Sequence, residues 1–588
     1  MLNAINSPQT ETNMPVFSPS TSTSVSPYAA FEKRSMQWRE DNGLPVLDYC
    51  EAPLYESEYY GLRSAIIERN DITLLNQYLT KYPKIGLPVC GDVYDPFLHA
   101  AAHGSTDALR ALLEHCAARP NESDIVDESR PFLLYWACMH AQVDTVRFLL
   151  TNESVFRHAY PWIGNIHTRV ASGWTALLAA AISFPSSSSI DEHNNMDEEA
   201  ARSEQLMNML LDMGACARDV IEWPRSIEPD PIIVASVPRG EIFSDTVLSL
   251  SISQASPGLV KRLIDEGADR QSKTLRSFNE PVYAFTSRKF FQGVTPLHIG
   301  GLYLNVAGIQ VLLDHRGGDI NIVDMVSSRD NRGSLPLHWA AGGPGRIEED
   351  YKLAGRDITL QTIGTFKLLL APDPTTINAR DDQGETALFW ATRNHGNGGR
   401  KHFDILKFLC DNGADASVRD RSGQTPLHWL GFPRWSADPI DIAIIDLFLA
   451  HGAKISDTDL DGNTPLHLAA RCLGQVEAVR FLLSRGADTN AENSKGNTPL
   501  HEVVDNPRWM QGLGITRDDN LRAQDEMLRE LQEVGGSVNL MDQKNASGKT
   551  PLQIRDEKRR EWQEWDRKRL AERRGMGRGR GAARPRVQ

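Results

Sequence analysis

The segment Thr464-Pro465-Leu466-His467-Leu468-Ala469-Ala470, followed by Val479-Arg480-Phe481-Leu482-Leu483 and closed by Arg485-Gly486-Ala487-Asp488, decides the fold of this chain. Each position has a physical reason. Thr464 caps a helix, and Pro465 fills its first turn, where no backbone N–H is needed. Leu466 and the small pair Ala469 and Ala470 let a second helix pack closely. The Leu-Leu run gives that second helix a buried stripe. Gly486 takes the left-handed position at which the helix stops. Asp488 to Ser494 then turns the chain into Thr498-Pro499-Leu500-His501, which begins 34 residues after Thr464.

The same phrase recurs outward from there. Full copies begin at Thr295 and Thr425, and degenerate ones are Leu335-Pro336-Leu337-His338, Thr386-Ala387-Leu388-Phe389 and Thr550-Pro551-Leu552-Gln553. A glycine stands two residues before every copy: Gly293, Gly333, Gly384, Gly423, Gly462, Gly496 and Gly548. The ending returns as Glu266-Gly267-Ala268-Asp269, Asn412-Gly413-Ala414-Asp415 and His451-Gly452-Ala453. Weaker copies lie upstream around Asp95-Pro96-Phe97-Leu98, Pro131-Phe132-Leu133-Leu134, Trp174-Thr175-Ala176-Leu177 and Asp245-Thr246-Val247-Leu248, with a degenerate cap near Tyr60-Gly61-Leu62.

The pattern resembles the ankyrin repeat. The resemblance implies an all-α solenoid of helix–turn–helix units with hairpin loops, about twelve repeats from roughly residue 57 to 555 against a period of ~33 residues. The motif steps of 51 residues from 335 to 386, and of 71 from 175 to 246, are read as inserted loops. Such inserts are Phe184 to Ala201, Ala217 to Ser244, Gln271 to Gln292 and Gly342 to Ile363. The expected organisation is a disordered Ser/Thr/Pro-rich segment (1–55), degenerate repeats with inserts (56–270), repeats with TPLH motifs (271–555), and a charged helix with a basic Arg/Gly tail (556–588).

Composition bounds the function. The chain of 588 residues is at −14, yet Arg555 to Gln588 carries 13 basic and 6 acidic side chains, leaving the body at −21. An acidic body argues against the repeats as a nucleic-acid surface and leaves the tail open to that role. No run reaches the ~20 apolar residues of a membrane helix. Met1 to Thr23 lacks the form of a secretory signal. Seven scattered cysteines with no CxxC pair fit a reduced intracellular compartment.

Catalytic, cofactor and metal sites are not expected. His298, His338, His428, His467 and His501 recur once per repeat, where a ring nitrogen ties one repeat's loop to the next, and zinc ligand-pair spacings are read as absent. Gly548-Lys549-Thr550 lacks the earlier glycine of a phosphate loop, since position 543 is Gln. Asp459 with Asp461, and Asp381 with Asp382, are read as ordinary turn residues or contact residues for a partner, at solvated hairpin tips without the burial that tunes an acid–base pair. Trp339, Trp390 and Trp429 share one register and are read as an aromatic core stacked between helices.

Function is therefore expected from the surface. A solenoid offers an extended concave face to a protein partner. In ankyrin proteins partners touch the hairpin tips and the exposed start of the second loop. Here the resemblance places those at Asn331, Arg332, Asp382, Gln383, Glu385, Arg393, Asn394, Arg421, Ser422, Gln424, Phe432, Leu460, Asp461, Asn463, Arg471, Ser494, Lys495 and Asn497. In the tail, Lys558-Arg559-Arg560, Arg567-Lys568-Arg569 and Arg573-Arg574 resemble nuclear-import signals. The insertion-rich style is similar to that of ankyrin proteins of filamentous fungi, and some ankyrin proteins regulate transcription. The expectation is a non-enzymatic scaffold: a nuclear coregulator that binds a transcription factor, or else a cytoplasmic adaptor in ubiquitination or signalling.

Overall fold

Helix pairs follow one another along the chain, each first helix opened by the motif. The computed structural model describes residues 59–81, 95–118, 132–151, 165–170, 173–184, 196–221, 245–279, 288–315, 320–343, 357–395, 400–430, 440–505, 516–534, 540–561, 564 and 567. They fall into two units, within residues 1–164 and 165–588. Among the described residues the first unit holds three helix pairs: Tyr59–Glu68 with Ile72–Lys81, Pro96–His103 with Thr106–Ala117, and Leu133–Met139 with Val143–Thr151. The second holds eight, from Ala176–Ile182 with Met196–Asp212 to Pro499–Asp505 with Arg517–Val534, and a last helix begins at residue 551. Within each unit first helices pack on first helices and second on second. This all-α repeat solenoid is the fold that the motif phase predicts.

Two layers of small and branched side chains form the core. Ala340, Ala341, Ala391 and Ala470 are fully enclosed, so neighbouring first helices approach closely, while Phe366, Leu409, Phe448 and Leu482 fill the space between second helices. Three inserts contain regular elements among their described residues. Met196 already belongs to a 17-residue helix, and Ile358 opens another of 13. Thr274–Asn279 and Arg288–Val294 pair as an antiparallel ribbon, where the sequence reading had only loop. Phe290 and Phe291 on that ribbon are the β-favouring signal.

The hairpins between repeats join into a continuous edge. Each tip donates a backbone N–H to a carbonyl of the tip before it: Asn331 to Gln292 at 2.8 Å, Asp382 to Arg332 at 2.7 Å, Arg421 to Gln383 at 2.7 Å, Leu460 to Ser422 at 2.9 Å, Ser494 to Asp461 at 2.8 Å and Ala546 to Lys495 at 3.1 Å. The motif glycine permits this approach. Gly462 has φ 76°, and a β-carbon there would lie 3.0 Å from the Ser494 nitrogen and 3.1 Å from the Asn493 Cα. Gly486 is also left-handed, at φ 88°, but faces open space. Gly486→Ala is expected to cost about 1 kcal/mol, the left-handed penalty alone. Gly462→Ala is expected to cost about 1–3 kcal/mol more, because backbone must move. Urea unfolding of the two variants side by side checks the difference.

Candidate interaction surface

What aims the hairpin tips is a polar lattice beneath them. Its first part is the histidine of the motif. In each TPLH copy the backbone N–H of the capping residue donates to Nδ1, at 3.2 Å for Thr295, 3.0 Å for Leu335 and 3.1 Å for Thr425, Thr464 and Thr498. Nδ1 therefore accepts, and Nε2 carries the proton. Nε2–H donates onward to the next hairpin: His298 to the Ser334 carbonyl at 3.1 Å, His338 to Glu385 at 3.2 Å, His428 to Asn463 at 3.1 Å, His467 to Asn497 at 3.0 Å and His501 to Lys549 at 3.2 Å. The predicted loop-to-loop tie is present in all five. Burial lowers the pKa of each ring, that of His298 to about 4, so the neutral tautomer persists at neutral pH. The row breaks at Phe389, and there the buried Thr386 hydroxyl finds no hydrogen-bond partner among the described residues.

The second part corrects the reading of the aspartates. Asp330, Asp381 and Asp459 are buried, not solvated. In Asp330, Asp381, Asp420 and Asp459 one carboxylate oxygen accepts backbone N–H groups two and four residues on, at 2.8–3.0 Å, which closes the hairpin. In the first three the other oxygen takes an indole N–H nine residues on: Trp339 to Asp330 at 2.9 Å, Trp390 to Asp381 at 3.1 Å and Trp429 to Asp420 at 3.3 Å. The tryptophans thus lie beneath the hairpins and not as a stack between helices. Trp339 and Trp390 meet the preceding repeat's histidine edge to face, at 5.6 and 5.8 Å. Burial raises the pKa of Asp330.

A third part was missed altogether. Arg329, Arg380 and Arg419 each stand four residues before a motif glycine and donate to that glycine's carbonyl. Each also reaches the next hairpin: Arg329 to the Arg380 carbonyl at 2.9 Å, Arg380 to the Arg419 carbonyl at 2.6 Å, and Arg419 to the Thr458 carbonyl and, at 2.7 Å, to Asp457. The Arg-x-x-x-Gly spacing was the available signal.

On this lattice the tip residues Asn331, Asp382, Gln383, Arg421, Ser422, Leu460, Asp461, Ser494 and Lys495 are exposed and form one row. Leu460 is 77% exposed, unusual for a large apolar side chain in a turn. Charge along the row alternates in sign. Arg332, Arg393, Gln424, Asn463 and Arg471 are half-buried behind it. Arg332 lies over the Phe291 ring at 4.3 Å and Arg393 over Trp429 at 4.3 Å, bridging repeats. Two expected contact residues face inward instead. Glu385 is buried and paired with Arg393, and Asn497 is buried, donating to Glu502 at 2.9 Å. Both precede a capping Thr, where the backbone lends its carbonyl to the previous histidine. Asn394 lies in helix Ala387–His395, its side chain outside the described residues, as is Phe432.

A family described as ankyrin repeats in three copies matches residues 359–430 and 438–509. This chain carries ankyrin repeats. A solved structure, the ankyrin repeat domain of Bcl-3, described as a unique member of the IkappaB protein family, is 21% identical over 49% of this chain and 100% of its own, with a TM-score of 0.32. No curated protein matches the chain. Ankyrin repeats are protein–protein interaction modules, typically without enzymatic activity, so the repeats imply protein partners. No helix among the described residues is long and apolar enough to cross a membrane.

In the tail of this ankyrin-repeat protein, Lys558, Arg559 and Arg560 lie on the helix that runs on from residue 551. Arg559 is paired with Asp525 at 2.6 Å and Lys558 with Glu561 at 3.9 Å. Arg567 is exposed, and Lys568, Arg569, Arg573 and Arg574 lie outside the described residues. One zinc ligand-pair spacing is present after all: His99 and His103 stand four apart on one helix.

Proposed function

We propose that this ankyrin-repeat protein is a nuclear coregulator that binds a transcription factor along its row of hairpin tips. The continuous exposed edge from Asn331 to Lys495 supports the binding half of this reading. It is rigidly backed, mixed in charge, and carries one exposed apolar anchor, Leu460. Mixed charge suits a protein partner better than a phosphate backbone. The nuclear half draws on the basic clusters of the tail.

The test uses the full chain, affinity-purified from nuclear and cytoplasmic fractions. One variant carries Leu460→Asp with Arg421→Glu. Another replaces Lys558, Arg560, Arg567, Lys568, Arg569, Arg573 and Arg574 by Ala and keeps Arg559 with its Asp525 partner. The expected result is a transcription factor recovered from the nucleus, with the tip variant recovering at least about tenfold less, as loss of one anchor residue implies. Loss of nuclear recovery is expected in the tail variant. Cytoplasmic recovery indifferent to the tail overturns the nuclear reading in favour of a cytoplasmic adaptor. Partner recovery indifferent to the tip variant overturns the assigned edge.

A further inference from the structure

We propose that the first unit holds a divalent transition-metal site of the zinc class, built by Glu68, His99 and His103. Their ligand atoms all lie within 4.8 Å of one another. His99 Nε2 is 3.0 Å from a Glu68 carboxylate oxygen, and His103 Nε2 is 3.9 Å from the same oxygen. Zinc bonds of ~2.0–2.2 Å in a tetrahedron put ligand atoms ~3.3 Å apart. These three atoms therefore already approximate one face of such a site, and a small rotation of the more exposed His103 closes it.

The placement follows from the repeat. His99 and His103 are one turn apart on helix Pro96–His103, so both rings emerge on one face, with centroids 4.4 Å apart. Glu68 is the last residue of the preceding first helix, Tyr59–Glu68. Two helices thus end at this spot, and the partial negative charge of both C-termini favours a cation between the three side chains. The His99 ring also donates a hydrogen bond to the backbone carbonyl of Ser64, the kind of outer support that fixes a ligating imidazole.

The set has chemical logic for this metal. Two imidazoles and one carboxylate suit zinc better than calcium or magnesium, which take oxygen ligands. Three protein ligands leave one position for water or for a side chain from outside. A bare Glu68–His99 hydrogen bond would tie the two repeats without needing His103.

The test is calorimetric titration of the chelator-stripped full chain with ZnCl2 at neutral pH, repeated for His103→Gln, His99→Gln and Glu68→Gln. His103 is about half exposed, so His103→Gln should unfold in EDTA at the wild-type temperature even where His99→Gln does not fold well. One zinc equivalent is expected in the wild type, with the apparent Kd raised at least about 100-fold in His103→Gln, more than loss of an outer support costs. Zinc should also raise the wild-type unfolding temperature and leave that of His103→Gln unchanged. A wild type without a zinc equivalent, or one that His103→Gln retains unweakened, overturns the site.

Discussion

Asp381→Ala lowers the stability of the second unit by about 3–5 kcal/mol, the cost of leaving several buried donors unpaired. The side chain it removes accepts three hydrogen bonds. One oxygen takes the Gln383 and Glu385 backbone N–H groups at 2.8 and 2.9 Å, and the other takes the Trp390 indole at 3.1 Å. Trp390 is only 7% exposed, so water does not replace the lost partner. Asp381→Asn keeps an oxygen for the backbone but turns an amide N–H₂ toward the indole N–H. It should cost about 1–3 kcal/mol, one orphaned donor. The chain contains the reciprocal arrangement. Asn493 holds the same hairpin position, and nine residues on stands Glu502, which accepts from the Asn493 amide at 3.0 Å. Asn493→Asp is therefore expected to destabilise for the opposite reason, by setting two buried carboxylates against each other. Urea unfolding of the three variants checks the order. Equal losses for Asp381→Asn and Asp381→Ala would show that the indole bond, and not the hairpin closure, carries the whole effect.

That complementarity also marks where the sequence was legible. Thr, Pro and Gly report on the backbone at their own positions, so the helix starts, the stops and the left-handed turns stood out and with them the fold. Two facts of the site depend on partners far along the chain. Glu385 and Asn497 looked like tip residues by phase, yet they turn inward because a histidine 47 or 30 residues earlier takes their carbonyl. Asp381 looked solvated because a turn is usually solvated. Its burial follows from Trp390, nine residues on and in the next helix. The ribbon of residues 274–279 and 288–294 escaped for a related reason. Six paired residues make too short an alternation to read unless the partner strand is known. The metal ligands needed two repeats at once, since Glu68 is 31 residues from His99.

Acid is expected to dismantle the histidine row. All five rings have folded pKa values depressed by burial, with His298 near 4, while an unfolded histidine titrates near ~6.5. A depressed value means that the unfolded chain binds protons more readily. The row's stabilisation is therefore complete above pH ~6.5 and is lost as pH falls towards the folded values. For His298 alone the loss approaches ~3 kcal/mol near pH 4, at ~1.4 kcal/mol per pKa unit. The other four add in the same direction. Asp330 works oppositely: burial raises its pKa, so the penalty of its buried charge is relieved as pH falls. The decisive variant is His298→Gln. Gln553 already fills the fourth motif position in the last repeat, where its amide oxygen accepts the Thr550 N–H at 3.0 Å. A glutamine at 298 can keep that bond without titrating. Urea midpoints taken from pH 7.5 down to 4.5 should fall steeply in the wild type and less steeply in His298→Gln, the two lines crossing as the histidine's advantage disappears. Parallel lines would mean that His298 takes up its proton as readily in the folded chain as in the unfolded one, and the Nδ1 acceptance from Thr295 would then not hold the ring neutral.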